Sequence, residues 1–253
     1  MTYSALRYAA PDPCLLDLYA PPSPSYPTVV LIHGGGMEAG SRISPSFTDL
    51  AAALNSRGIA LVSPDYRMFP DARYPDFIRD AAAAVAWCKR ELPAYGADSR
   101  LYVGGLSAGA YLSMMLCFDP QWLAEVDLTP LDVSGWLHGS AQASAHYTCL
   151  RYRGFDPKRV IIDETSPIYH ITPDFKSNPM QILVSDNDIP NRKEQNELLV
   201  GTLRHNGFDM SKVDFRVLHG NHCSFAHEKD AFGNPVFAGM ILEFMREKCG
   251  ENV

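Results

Sequence analysis

Ser107 sits in the pentapeptide Gly105-Leu106-Ser107-Ala108-Gly109, directly after the strand-like run Arg100-Leu101-Tyr102-Val103-Gly104 and ahead of a helix-like run at residues 110–116. A G-x-S-x-G between strand and helix is a candidate nucleophile elbow: the chain turns sharply, glycines let backbone approach backbone, and the hydroxyl is carried at the apex. A serine hydroxyl attacks poorly at neutral pH, so it needs a base within hydrogen-bond reach and an acid that orients the base. Both are offered downstream, each twice. Ser185-Asp186-Asn187-Asp188-Ile189-Pro190 follows the apolar run at residues 181–184, and His219-Gly220-Asn221-His222-Cys223-Ser224-Phe225 follows a strand-like run at 213–218. The acid is Asp186 or Asp188 and the base His219 or His222. His222 is preferred, because His219 stands at the strand end and His222 farther out in the loop.

Acyl transfer also needs donors for the developing oxyanion, each worth about 3 kcal/mol. His33-Gly34-Gly35-Gly36 lies just past the buried-strand run at residues 28–32. Its lack of side chains lets the amides of Gly35 and Gly36 approach an ester oxygen, with the amide of Ala108 at the start of the elbow helix as a third donor. The glycine run lacks both the G-K-[ST] ending of a P-loop and the G-x-G-x-x-G spacing, so a nucleotide is not expected. His219, His222 and His227 with Asp186 and Asp188 could in principle ligate a metal, but their spacing fits no helical zinc signature.

The elements that would position these groups alternate along the chain. Apolar strand-like runs lie at residues 15–19, 28–32, 59–63, 100–104, 134–137, 181–184 and 213–218; the Pro21-Pro22-Ser23-Pro24 cluster parts the first two, and helical patterns separate most of the others. One helix is announced by Ser44-Pro45 and the spacing of Phe47, Leu50, Ala51 and Leu54, and stopped by Gly58. Another follows from Asp76 through Phe77, Ala81, Ala84, Val85, Cys88 and Leu92, and two more span residues 194–205 and 235–248. Strands alternating with helices predict a mainly parallel sheet. Residues 119–178, with Pro120, Pro130, Pro157, Pro167 and Pro173, break the rhythm and read as a cap-like insertion over the site. Its Trp136, His138, Gln142, His146, Tyr147, Tyr152 and Tyr169 are expected to give the pocket an aromatic, hydrogen-bonding lining.

At 253 residues the chain can form a single α/β domain. A net charge of −7 without a basic block argues against nucleic acid as a partner. Six scattered cysteines without a C-x-x-C pair suit buried thiols in a reducing compartment. With neither a signal-like start nor an apolar run of membrane length, a cytoplasmic protein is expected.

Taken together, these motifs resemble the α/β-hydrolase superfamily, and within it the HGGG-type esterases related to hormone-sensitive lipase and to small carbohydrate esterases. Asp65-Tyr66-Arg67 is similar to the family's strand-end D-Y-R, Tyr74-Pro75 with Asp80 and Trp87 to its helix before the elbow, and His222-Cys223-Ser224-Phe225 to its H-G-F ending. The stretch from Asp188 to Glu194 and Gln195 resembles its acid loop, which favours Asp188 over Asp186. Two departures stand out: no Val-Pro follows the aspartate, and Met37 replaces the tryptophan often found after HGGG. The resemblance implies the α/β-hydrolase fold and a nucleophile, acid, histidine order met by Ser107, Asp188 and His222. It further implies ester hydrolysis through an acyl-enzyme with no metal or organic cofactor, and the aromatic, polar side chains of the insertion favour small or short-acyl esters, acetylated or feruloylated sugars among them. His33 would orient its loop. The rival activities are an arylformamidase-type amidase using the same residues and a non-catalytic ligand-binding relative.

Overall fold

The apolar runs at residues 28–32 and 59–63 have no polar face to give to water, so both must be covered on two sides. In the computed structural model, which describes residues 1–10 and 12–252, they lie in β3 (Tyr26–Ile32) and β4 (Ala60–Pro64), buried at every position. With β1 (Thr2–Arg7), β2 (Leu15–Tyr19), β5 (Ala97–Leu106), β6 (Gly135–Gly139), β7 (Met180–Asn187) and β8 (Val213–Asn221), they form a sheet in the order β1-β2-β4-β3-β5-β6-β7-β8. From β4 to β8 every neighbouring pair is parallel, while β2 runs antiparallel to β1 and β4. The α/β-hydrolase fold with a mainly parallel sheet is what the chain adopts. β1 was not among the expected strands; most of it is exposed, so it lacks the apolar signature of its neighbours.

The strands' alternation divides the interior in two. Val30, Ile32, Val62, Val103 and Ile182 point to one face, where they meet α2 (Asp76–Glu91), α3 (Ala108–Phe118) and α6 (Arg192–His205). Val29, Leu31, Leu61, Tyr102 and Leu183 point to the other, against α1 (Pro45–Asn55) and α7 (Val236–Cys249). α3, which follows Ser107, is buried along its whole length, so the elbow is backed by the centre of the core.

Residues 119–178 divide more finely than the sequence suggested. The short α4 (Gln121–Ala124) leads into β6, which is a full member of the sheet between β5 and β7. The excursion from the sheet is the stretch between β6 and β7, which carries α5 (Tyr147–Tyr152). All six cysteines are free thiols. Among the described residues no helix is long and apolar enough to cross a membrane.

Candidate active site

β5 ends at Leu106 and α3 begins at Ala108, leaving Ser107 alone at the turn with φ 55° and ψ −115°. A side chain held in that region costs on the order of 1–3 kcal/mol and persists only where its surroundings enforce it. Here the Ser107 amide donates to the Gly139 carbonyl at 2.8 Å, and the Ser107 carbonyl accepts from Tyr111 at 3.0 Å. The flanking glycines admit the close approach: a Cβ on Gly105 would stand 2.3 Å from the Gly109 carbonyl carbon, and one on Gly109 2.1 Å from the Ile32 oxygen.

Parallel β7 and β8 pair Asn187 with Asn221 at their ends, so the next residue of each, Asp188 and His222, emerges at the same level. His222 Nδ1 lies 2.5 Å from Asp188 Oδ1, and its Nε2 lies 2.8 Å from Ser107 Oγ. An ionised carboxylate only accepts, so Nδ1 carries the proton and Nε2 is left to receive one from the serine. The Asp188 side chain is 1% exposed and that of His222 26%. Burial opposes the Asp188 charge, but its bonds to His222 and to the Ile189 amide at 2.7 Å prevail and hold its pKa below the usual carboxylate range. Burial likewise opposes an imidazolium at His222, yet the bonds with Asp188 and the Cys223 sulfur outweigh it and push the pKa up to about 9.

The duplicate candidates pair with each other instead. β7 and β8 run on past their expected ends, to Asn187 and Asn221, and so keep Asp186 and His219 within the strands. His219 Nδ1 lies 2.9 Å from Asp186 Oδ2, the Gly220 amide donates to Asp186 Oδ1 at 2.9 Å, and the His219 side chain is 97% exposed. Among the described residues, no group of three or more His, Cys, Asp and Glu gathers closely enough to hold a metal.

Gly34 presses on the elbow: its added Cβ would lie 3.2 Å from Ser107 Cβ. Gly35 and Gly36 have φ of 104° and 67°, and a Cβ on Gly36 would meet Tyr147 Oη at 2.1 Å, so this loop tolerates no side chain. Thr148 on α5 donates to the Gly36 carbonyl at 2.6 Å. Among the described residues the Gly35 and Gly36 amides donate to no backbone carbonyl, and Ala108 is the first residue of α3, where an amide has no acceptor in its own helix. Those N–H groups remain available to a ligand oxygen. Buried His33 stacks on Tyr66 at 4.5 Å and contacts its neighbour's carbonyl, Gly34 O, through Nδ1 at 2.7 Å. Burial lowers its pKa, so it stays neutral. Asp65, which faces it, pairs with Arg42, and Arg67 forks onto Asp80, so the D-Y-R segment is a scaffold under the glycine loop.

The cleft at Ser107 holds about 550 Å³. Of the seven polar and aromatic side chains expected to line it, Tyr147 alone does so; Gln142 joins Tyr147 in lining a neighbouring cavity. Trp136 and His138 are buried in the interior, because β6 is a central strand covered on both faces, and His146, which caps α5, is buried against Tyr111 and Tyr147. Tyr152 stacks on Phe69, and Tyr169 is exposed. The cleft wall comes instead from Ser41, Ile43, Ser44 and Phe47 near the start of α1, with Ile189, Cys223 and His227. The sequence marked Ser44 and Phe47 as the start of a helix and His227 as a possible metal ligand, and none of them as cleft wall; for Ser41, Ile43, Ser44 and Phe47, proximity to the HGGG stretch was the available signal.

Residues 16–125 match the family described as BD-FAE. Esterase LipC of Mycobacterium tuberculosis is 29% identical over 232 residues, 83% of this chain and 56% of LipC. Probable isoprenylcysteine alpha-carbonyl methylesterase ICMEL2 of Arabidopsis thaliana is 36% identical over 107 residues, 41% of this chain and 25% of that protein. The chain thus spans about half the length of the first of these curated relatives and a quarter of the second. Among solved structures, esterase B from Lactobacillus rhamnosis superposes with a TM-score of 0.77 at 18% identity, covering 98% of this chain and 86% of that one. Sheet order and elbow agree with the fold of these neighbours: the chain has the α/β-hydrolase fold, and its sequence is similar to esterases.

Proposed function

We propose that the protein is a serine carboxylesterase acting on small, short-acyl esters, acetylated or feruloylated sugars among them, through an acyl-enzyme. The observation that carries the reading is the unbroken hydrogen-bonded file from Ser107 Oγ through His222 to buried Asp188. His222 Nε2 takes the serine proton as Oγ bonds to the ester carbonyl carbon, and the oxyanion is received by the amides of Gly35, Gly36 and Ala108. The C–O bond to the alcohol then breaks, and His222 hands its proton to the departing oxygen. Water repeats the sequence on the acyl-enzyme, with His222 again the base, and releases the acid. Asp188 keeps His222 in the tautomer that makes Nε2 the acceptor. A modest cleft with the hydroxyls of Ser41 and Ser44 on its wall favours a compact polar substrate.

A fluorophosphonate is expected to modify Ser107 in the folded protein and to leave Ser107→Ala unlabelled, with p-nitrophenyl acetate or butyrate turned over faster than octanoate. Folded wild-type protein without an adduct on Ser107 refutes the reading.

The pH profile carries a signed expectation. His222 must be neutral to accept a proton, and its raised pKa means it stays protonated to higher pH than free imidazole. Activity is therefore lost as pH falls through a value above 6.5 and toward 9. kcat/KM on a neutral aryl ester should titrate with its acidic midpoint in that window, and a midpoint below 6.5 would contradict the Asp188 bond as the controlling interaction.

A further inference from the structure

Beyond Tyr147 and Ile189, which line both spaces, the cleft adjoins a second cavity of about 570 Å³. Its lining includes Lys158, Arg159 and Arg192 and no carboxylate, in a chain whose net charge is −7. Arg192, the first residue of α6, is 2% exposed. A guanidinium taken out of water is costly unless a partner compensates it. Yet among the described residues Arg192 makes no salt bridge, whereas nine other arginines, all more exposed, do. Its fork donates to the Ser140 carbonyl at 2.5 Å and reaches Gln142 Oε1 only at 3.5 Å. A guanidinium has five N–H donors, so part of the fork has no protein acceptor. Asp188 lies close enough to act on Arg192 electrostatically, but its carboxylate is committed to His222. Lys158 and Arg159, both exposed, add positive charge on the solvent side of the same cavity.

We propose that this cavity receives a carboxylate carried by the ester substrate itself, so that the preferred substrates are esters with a second, anionic end; the inference rests on the esterase reading above. The scissile carbonyl sits at Ser107, and the carboxylate extends past Tyr147 and Ile189 to the Arg192 fork, which matches a carboxylate's two oxygens. The anionic end belongs either to the acyl chain, as in a half-ester of a dicarboxylic acid, or to the alcohol, as in an acetylated hydroxy acid.

Two matched pairs assayed with the whole chain separate these sources. The acyl arm compares p-nitrophenyl hemiglutarate with p-nitrophenyl pentanoate, and the alcohol arm compares 4-acetoxybenzoate with its methyl ester. In one arm kcat/KM is expected to favour the anion by about tenfold or more, with the advantage shrinking as salt rises. Lys158→Ala/Arg159→Ala and Arg192→Gln should each cut that preference, and free glutarate should compete with the preferred substrate. Because Arg192→Gln removes a buried group that also holds the Ser140 carbonyl and so can fail to fold, the exposed double substitution keeps the test decisive. Equal rates on both members of both pairs overturn the inference, as does a preference that the double substitution leaves untouched. If neutral esters turn over and Ser107 is labelled without any anion preference, this inference alone falls. If no ester turns over and Ser107 takes no fluorophosphonate, the esterase reading falls and takes it along.

Discussion

His222→Ala is expected to lower kcat/KM on a p-nitrophenyl ester by about four orders of magnitude, while His219→Ala leaves it within about twofold. The same contrast separates Asp188→Asn, which should cost about 10⁴-fold through loss of the useful tautomer, from Asp186→Asn, which should cost almost nothing. The two Asp–His pairs have similar Nδ1 to carboxylate distances, 2.5 Å and 2.9 Å, so distance within the pair does not discriminate them. What differs is the far side of the imidazole. His222 Nε2 meets Ser107 Oγ at 2.8 Å, whereas His219 is 97% exposed. Steady-state kinetics on the four single variants, with circular dichroism to confirm folding, reads the contrast directly. Activity that survives His222→Ala and dies with His219→Ala would require the β8 end to sit elsewhere.

Gly109→Ala is expected to destabilise the fold by about 3 kcal/mol or more, a large effect for one methyl group. The new Cβ would lie 2.1 Å from the Ile32 oxygen and 2.6 Å from the His33 oxygen, both backbone atoms. α3 has little room to retreat, because it is buried along its length. Gly201→Ala on α6 is the internal control: nothing lies within 4 Å of its added Cβ, so it should gain about 0.5–1 kcal/mol from helix propensity. Urea midpoints for the two variants test the pair. A Gly109→Ala midpoint equal to wild type would mean that α3 can move off β3 at little cost.

The parts of the site legible in the sequence are those written locally. The elbow needs glycines two residues either side of Ser107, and the donor loop needs successive residues without side chains; both requirements leave a mark in one short stretch. The choice between Asp186 and Asp188 depends on where β7 stops, which its pairing with β8 determines, and that is a tertiary fact. Trp136, His138 and His146 were misplaced for a related reason. An aromatic in a central strand, as Trp136 and His138 are, or one capping a covered helix, as His146 is, has the same local sequence as one in a cleft, and only the covering elements distinguish them. β1 escaped notice because an exposed edge strand needs no apolar pattern.

The order of the sheet bears on how this protein fails. Ser107 is mounted between β5 and α3 at the centre of the core, whereas His222 follows β8, which among the described residues pairs with β7 alone. Opening free energies are lowest where backbone pairing is one-sided and exposure is greatest. The nucleophile and its base therefore stand on ground of unequal firmness. On warming, β8 can peel from β7 and carry the imidazole out of reach while the remaining strands hold, so inactivation precedes denaturation, and the rate assay becomes a gauge of one seam in the molecule rather than of the whole.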